Sequence, residues 1–283
     1  MLLSQFIRES TSALEALYPP QEARSLVARL DEALLGVSSY AHITEPSLSV
    51  PPDKEQELQE ALGRLLAGEP LQYITGRQEF CGRQFRVSPA VLIPRPETEQ
   101  LVTETLRRAG ALSGGIRALD LCTGSGCIAW TLALDCPGCE VTAVDISEEA
   151  LEVARGQFSE AHGPRFIKAD VLDIPETFPG APFDIIVANP PYIRESEKAA
   201  MHRNVLEHEP GIALFVPDSD PLLFYRAVAL WAARFLRPGG FGIVEINENL
   251  GKETAALFEG LGKSGIIRDF SSRERFVSFQ KAL

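Results

Sequence analysis

Residues 116–145 read IRALDLCTGSGCIAWTLALDCPGCEVTAVD: an apolar run through Asp120, a turn at Gly124 and Gly126, an apolar helix, a Pro137-Gly138 turn and a second apolar run ending at Asp145. The same alternation continues outward. Strands are expected at Arg117 to Leu121, Glu140 to Asp145, Arg165 to Ala169, Phe183 to Ala188, Gly242 to Ile246 and Phe276 to Phe279. Helices are expected from about Gly126, from Glu148, over about Leu222 to Leu236 and near Lys252 to Leu261. Alternation with continuous apolar strands predicts an α/β fold, a mainly parallel sheet with helices on both faces. Ligands of such sheets bind beyond the carboxyl ends of the strands, where the strand order reverses.

Toward the N-terminus the pattern changes twice. Residues 1–72 carry helical periodicity, with Leu3, Phe6, Ile7, Leu14 and Leu17 spaced for one face, and with Pro19-Pro20 and Pro51-Pro52 at helix starts. A small helical bundle suited to docking a substrate is expected there. Residues 73–94 shift to short alternating runs around Gly76 and Gly82, including Gln84-Phe85-Arg86-Val87 and Val91-Leu92-Ile93, and read as a β-hairpin linker. The α/β domain then spans 95–283, opening on a helix from Arg95-Pro96-Glu97 to about Arg108.

With 283 residues and 45% hydrophobic content the chain can bury a full core. No apolar run approaches the roughly 18 residues of a membrane span, and Met1 to Ser10 has no basic segment ahead of an apolar stretch. A cytoplasmic monomer with no membrane partner is expected. The formal charge is −12, and neither the part before Arg95 nor the part after it is basic, which argues against direct nucleic-acid binding. Cys136-Pro-Gly-Cys139 could serve a redox pair or, with Cys122 and Cys127, a zinc site; it reads more simply as a turn with small buried thiols. His42, His162, His202 and His208 lack ligand spacing, so no metal is implied.

The chemistry begins at the glycine turn. Glycines between strand and helix let the backbone approach a ligand closely, and Asp145 ends the next strand at about the 20-residue spacing of an acid that accepts hydrogen bonds from ribose hydroxyls. Together they point to a nucleoside cofactor. A dinucleotide fingerprint is incomplete: Cys122 stands at its first glycine position and Ala129 at its last. Asp120 would repel a pyrophosphate and suits an ammonium, which points toward S-adenosylmethionine. Asp170 sits either as an adenine-facing residue or as a solvated turn acid.

Asn189-Pro190-Pro191-Tyr192 follows the strand Phe183 to Ala188. Consecutive prolines stiffen the backbone and leave carbonyl acceptors without N–H donors, and Asn189 adds a side-chain carbonyl. An NH₂ group could donate to the Asn189 side chain and the Pro190 carbonyl while Tyr192 stacks on its plane. Such a grip aligns a poor nitrogen nucleophile for in-line attack on a sulfonium methyl. The motif alone does not choose between a base and an amide.

With Gly76-Arg-Gln-Glu-Phe80, Val91-Leu-Ile-Pro-Arg-Pro-Glu-Thr-Glu99, Asp120 to Ala129, Asn189 to Ile193, Glu209-Pro210, Ala213-Leu214 and Arg237-Pro-Gly-Gly240, the chain closely resembles the peptide chain release factor glutamine methyltransferases over nearly its whole length. The resemblance implies a Rossmann-like, seven-stranded class I methyltransferase sheet with a small N-terminal all-helical domain. It also implies transfer from S-adenosylmethionine to the side-chain amide nitrogen (N5) of the Gly-Gly-Gln glutamine in class I release factors. Carried over by position, Cys122, Thr123, Gly124, Ser125 and Gly126 line the methionine end of the cofactor, with Asn189 beside it. Asp145 holds the ribose, Val171 lies by the adenine, and Asn189, Pro190, Pro191 and Tyr192 hold the glutamine. Pro94 to Thr98 would lie close to the cofactor. The sequence departs at Cys122, where many relatives have glycine and where a cysteine is tolerable if its φ is negative. It departs again in Phe270-Ser-Ser-Arg-Glu-Arg275, which lacks an expected glycine. The remaining alternatives are an N6-adenine nucleic-acid methyltransferase, disfavoured by charge, and a glutamine methyltransferase of a ribosomal protein. An adaptor on a degenerate fold is disfavoured by the intact glycine turn and Asn-Pro-Pro-Tyr.

Overall fold

The computed structural model describes residues 1–112, 114–159 and 163–283; His162 lies outside the described residues. The chain divides into two compact units, Met1–Arg77 with His202–His208, and Gln78–Met201 with Glu209–Leu283.

The first unit is helical: α1 (Leu3–Leu14), α2 (Pro20–Leu35), α3 (Ala41–Thr44), α4 (Pro52–Leu66) and α5 (Leu71–Thr75). Pro20 and Pro52 sit at the first helical positions, where a missing N–H costs nothing. Leu3, Phe6 and Leu14 of α1 bury against Val27 and Leu30 of α2 and Leu58 and Leu65 of α4, the helical stripe that periodicity anticipates, but Leu17, expected on the same face, lies beyond the end of α1 and is 53% exposed. Asp31 breaks the stripe. It is only 2% exposed, neither of its oxygens has a hydrogen-bond partner among the described residues, and burial pushes its carboxyl from 3.8 up to about 7. The folded chain therefore holds this proton more tightly than the unfolded chain, and stability falls as pH rises between those two values, then levels off. Asp31→Asn is expected to raise the thermal midpoint at about pH 8 by roughly 5–10 °C relative to its effect near pH 5. Equal shifts at both pH values in a thermal melt would refute the assignment.

The second unit opens at Gln78, within the hairpin of β1 (Arg77–Phe80) and β2 (Arg83–Arg86), and continues with α6 (Pro96–Ala109). Val91-Leu92-Ile93 forms no strand, contrary to expectation. The run lies between Pro89 and Pro94, which cannot donate to a ladder. Val91 and Ile93 are buried all the same, and the Ile93 N–H donates to Glu209 Oε2 at 3.2 Å instead of to a neighbouring strand.

There follow β3 (Ile116–Leu121), α7 (Cys127–Asp135), β4 (Cys139–Asp145), α8 (Glu148–Arg155), β5 (Arg165–Lys168) and β6 (Phe183–Ala188). Next come the short strand β7 (Ile193–Arg194), α9 (Arg203–His208, in the first unit) and β8 (Phe215–Val216), which pairs with β7. The chain closes with α10 (Leu223–Phe235), β9 (Leu236–Glu245), α11 (Gly251–Phe258), β10 (Gly262–Arg268) and β11 (Glu274–Lys281). The seven-stranded sheet has the order β10-β11-β9-β6-β3-β4-β5, with β11 antiparallel to β9 and the five strands from β9 to β5 parallel. The chain builds outward from β3 to β5, then returns past β3 to start β6. The order thus reverses between β3 and β6, and a crevice opens beyond their carboxyl ends.

All six residues of β6 are buried. Its one acid, Asp184, accepts the Arg117 N–H of β3 at 2.7 Å. Leu101 and Val102 of α6 and Ile128 and Trp130 of α7 cover one face of the sheet. Tyr225, Val228 and Trp231 of α10 and Phe258 of α11 cover the other. β9 is longer than expected because Arg237-Pro-Gly-Gly240 is a bulge inside it: the register on β6 jumps from Leu236 to Phe241, and Gly239 supplies the positive φ of 76°. β10 carries little strand signal of its own: Gly262 and Gly265 dilute it, and as an edge strand paired only with β11 the segment needs no continuous apolar run. Among the described residues no helix is long and apolar enough to cross a membrane.

Candidate active site

The carboxyl ends of β3, β4, β5 and β6 open on a cavity of about 260 Å³. Cys122, Thr123, Gly124 and Ser125 line it after β3, Asp145 and Ile146 at the end of β4, Asp170, Val171 and Leu172 after β5, and Asn189 and Pro191 after β6. Pro94, Arg95 and Thr98 close it from the start of α6. The sequence-predicted residues thus converge, with three that do not face the cavity: Gly126, Pro190 and Tyr192. Gly126 caps α7 at φ +78°, and a Cβ there would come within 3.0 Å of Ala154 Cβ and 3.2 Å of Trp130 Cδ1, so its role is close packing of helices. Pro190 is buried and Tyr192 half-buried, both outside the lining.

Two expectations for the glycine turn need correction. Cys122 takes φ +61°, not a negative value. A side chain is tolerated in this left-handed region at a cost of about 1–2 kcal/mol, offset here by the tertiary setting. Its thiol is pushed well above the usual range by burial, then by the carboxylates of Asp145, Asp120 and Asp170, so it is no thiolate nucleophile. Asp120 does not line the cavity and cannot meet a ligand's ammonium. It is fully buried, its Oδ2 accepts the Thr123 hydroxyl at 2.6 Å, and burial pushes it up to about 7. It braces the turn from within.

Asp145 combines two tasks. Its Oδ2 accepts the Gly124 N–H at 2.8 Å and its Oδ1 the Ser147 N–H at 3.0 Å, so it ties the glycine turn to the start of α8. Burial raises its pKa, while these backbone donors hold it down. Each oxygen retains acceptor capacity for a further donor, and the residue lines the cavity. Gly124, at φ +53°, has nothing within 4 Å of where a Cβ would stand, so the turn presents open backbone. Apolar Ile146, Val171 and Leu172 face the same space, and the Val171 carbonyl is held by the Trp231 indole N–H at 2.9 Å. An acid for hydroxyls beside apolar walls for a planar base fits a nucleoside cofactor.

Asn189 anchors the other side of the cavity. Its Nδ2 donates to Thr98 Oγ1 at 3.1 Å, and that hydroxyl donates to Glu245 Oε2 at 2.8 Å. Tyr192 Oη donates to Glu245 Oε1 at 3.1 Å. Glu245 is the residue that motif reading missed. Its signal was an acid inside the apolar run Gly242-Ile-Val-Glu-Ile246, unexplained by burial. Elsewhere, Gly138 turns at φ +76° and the Cys139 N–H donates to the Cys136 carbonyl at 3.0 Å; the Cys136 and Cys139 thiols are free and both raised, chiefly by burial.

Comparison with known proteins places these features in a family context. The family described as PrmC N-terminal domain matches residues 5–76, and a methyltransferase domain matches residues 118–208. The chain is 40% identical to a release factor glutamine methyltransferase of Bacteroides thetaiotaomicron, over 98% of each chain. It is 38% identical to one of Koribacter versatilis, over 99% of each. A crystal structure of a methyltransferase from Pyrococcus furiosus shares the fold, at 20% identity and a TM-score of 0.52 over 80% of this chain and all of that one.

Proposed function

We propose that this chain, which belongs to the release factor glutamine methyltransferase family and is an S-adenosylmethionine-dependent enzyme, methylates the N5 amide nitrogen of the glutamine in the Gly-Gly-Gln tripeptide of class I release factors. The observation that carries this reading is that Asn189 and Pro191 line the same cavity as Cys122 to Ser125, so a nitrogen acceptor and a cofactor site share one space. S-adenosylmethionine supplies a methyl group on a sulfonium, a leaving group that needs no further activation.

The protein's contribution is grip and alignment. The turn Cys122 to Ser125 holds the methionine end by backbone, Asp145 accepts from the ribose hydroxyls, and Val171 packs on the adenine. The Asn189 Oδ1 and the carbonyl of the Pro190–Pro191 peptide each accept one hydrogen of the glutamine NH₂, while Tyr192, outside the cavity lining, braces the turn through its hydrogen bond to Glu245. These acceptors counter the loss of electron density as the nitrogen gains positive charge, so no base is needed before attack. The N-terminal helical bundle, residues 1–72, docks the protein substrate in this reading.

Purified enzyme is expected to transfer labelled methyl to a release factor and to fail on the Gln→Ala variant of its Gly-Gly-Gln tripeptide. Equal labelling of both would overturn the substrate assignment. A DNA oligomer and a ribosomal protein in the same assay test the adenine and ribosomal alternatives.

A further inference from the structure

An asparagine carboxamide can present either its oxygen or its nitrogen to a ligand, and only its fixed neighbours decide which. Around Asn189 those neighbours form a chain with a single direction. Thr98 is 2% exposed and Glu245 is 1% exposed. The Glu245 carboxylate can only accept, so it takes the one hydroxyl hydrogen of Thr98, at 2.8 Å. Thr98 Oγ1 is then left with acceptor capacity alone and draws the Asn189 NH₂ to itself, at 3.1 Å. The Asn189 oxygen is thereby turned to the cavity. Tyr192 Oη spends its hydrogen on the other oxygen of Glu245, which fixes the ring that follows the prolines.

We propose that Glu245, acting through Thr98 and Tyr192, is a positioning residue for methyl transfer: it sets the direction of the hydrogen-bond chain that aims the Asn189 carbonyl at the substrate nitrogen. The inference rests on the reading of Asn189 as a holder of that nitrogen. A buried carboxylate served by two hydroxyls is a costly device where a glutamine would fill the same volume, and its cost is offset by the direction it imposes. A glutamine amide at 245 could donate to Thr98 as readily as accept, and a donated hydrogen would reverse the chain and present the Asn189 NH₂ to the substrate.

The surroundings agree. Glu245 is paired in register with Phe276 on β11, and the guanidinium of the preceding Arg275, held by Asp269 at 3.1 Å, supplies favourable charge. The other titratable groups facing Glu245 are Glu97 on α6, whose charge opposes ionisation, Tyr192, and Tyr225 on α10. Burial dominates and pushes the Glu245 carboxyl up to about 7. Below that pH the carboxyl gains a hydrogen of its own and the chain loses its single direction, so turnover should rise with pH through this range.

The test uses the intact enzyme, S-adenosylmethionine and a release factor, with kcat, KM and the dissociation constant of S-adenosylmethionine measured for Thr98→Val, Thr98→Ser, Glu245→Gln and Asn189→Ala. Thr98→Val and Glu245→Gln are expected to lose about 10- to 100-fold in kcat with cofactor affinity near that of the parent. Thr98→Ser should recover most of the rate, and Glu245→Gln should flatten the pH profile near 7 while being at least as stable as the parent at alkaline pH. Parental turnover by Thr98→Val beside an inactive Asn189→Ala would overturn the positioning role and leave the Asn189 reading intact. A parallel loss of stability and cofactor binding in Glu245→Gln would also overturn it, as a merely structural acid. Parental turnover by Asn189→Ala would remove the reading on which the proposal stands.

Discussion

Asn189→Ala is expected to lower kcat by about 10²–10³-fold, the loss of one preorganised acceptor at a charge-developing centre, or about 2.7–4 kcal/mol. The substitution removes the Oδ1 acceptor while the backbone, held between buried Ala188 and buried Pro190, keeps its place. The glycine turn and Asp145 remain, so S-adenosylmethionine affinity should fall far less than turnover. Single-turnover kinetics with equilibrium binding of the cofactor separate the two effects. Turnover within about 3-fold of the parent, well short of one acceptor's worth, would remove Asn189 from the catalytic machinery.

Asp145→Ala should produce the opposite profile. Its carboxylate accepts the Gly124 and Ser147 N–H groups, and both donors lose their partner while the ribose loses its acceptor. Charge-assisted hydrogen bonds contribute about 1.5–3 kcal/mol each, so S-adenosylmethionine should bind about 100-fold more weakly. At saturating cofactor much of the turnover should return, because Asn189 and its partners are untouched. Titration calorimetry checks the affinity; a dissociation constant near the parental value would assign Asp145 to loop bracing alone.

Most of the sheet was legible because its strands are buried on both faces and therefore read as unbroken apolar runs. Phe183–Ala188 is the clearest case. The converging site was legible for a related reason: backbone chemistry at Gly124, Pro190 and Pro191 is written in residue types that few other environments demand. What escaped depends on tertiary context. Gly262–Arg268 is stabilised by pairing with β11 and by nothing local, so its glycines misled. Val91 and Ile93 are buried beside prolines in a loop, which periodicity cannot distinguish from a strand. The positive φ of Cys122 reflects a conformation that the fold imposes against the residue's own preference. Asp120 and Glu245 were misjudged or missed because an acid at the end of a strand has the same letter whether it faces a ligand or lies beneath the wall; only burial and hydrogen-bond partners tell them apart.

The two ends of the sheet carry a different lesson. β5 is four residues long and bears Arg165 and Lys168 at its exposed ends, and β10 bears exposed Lys263 and Arg268. In a chain of net charge −12, Arg165, Lys168 and Lys263 thus stand on the two edge strands, and Arg268 is paired with Glu274 at 2.8 Å. Charged side chains on these edges work against edge-to-edge pairing of the seven-stranded sheet with another copy.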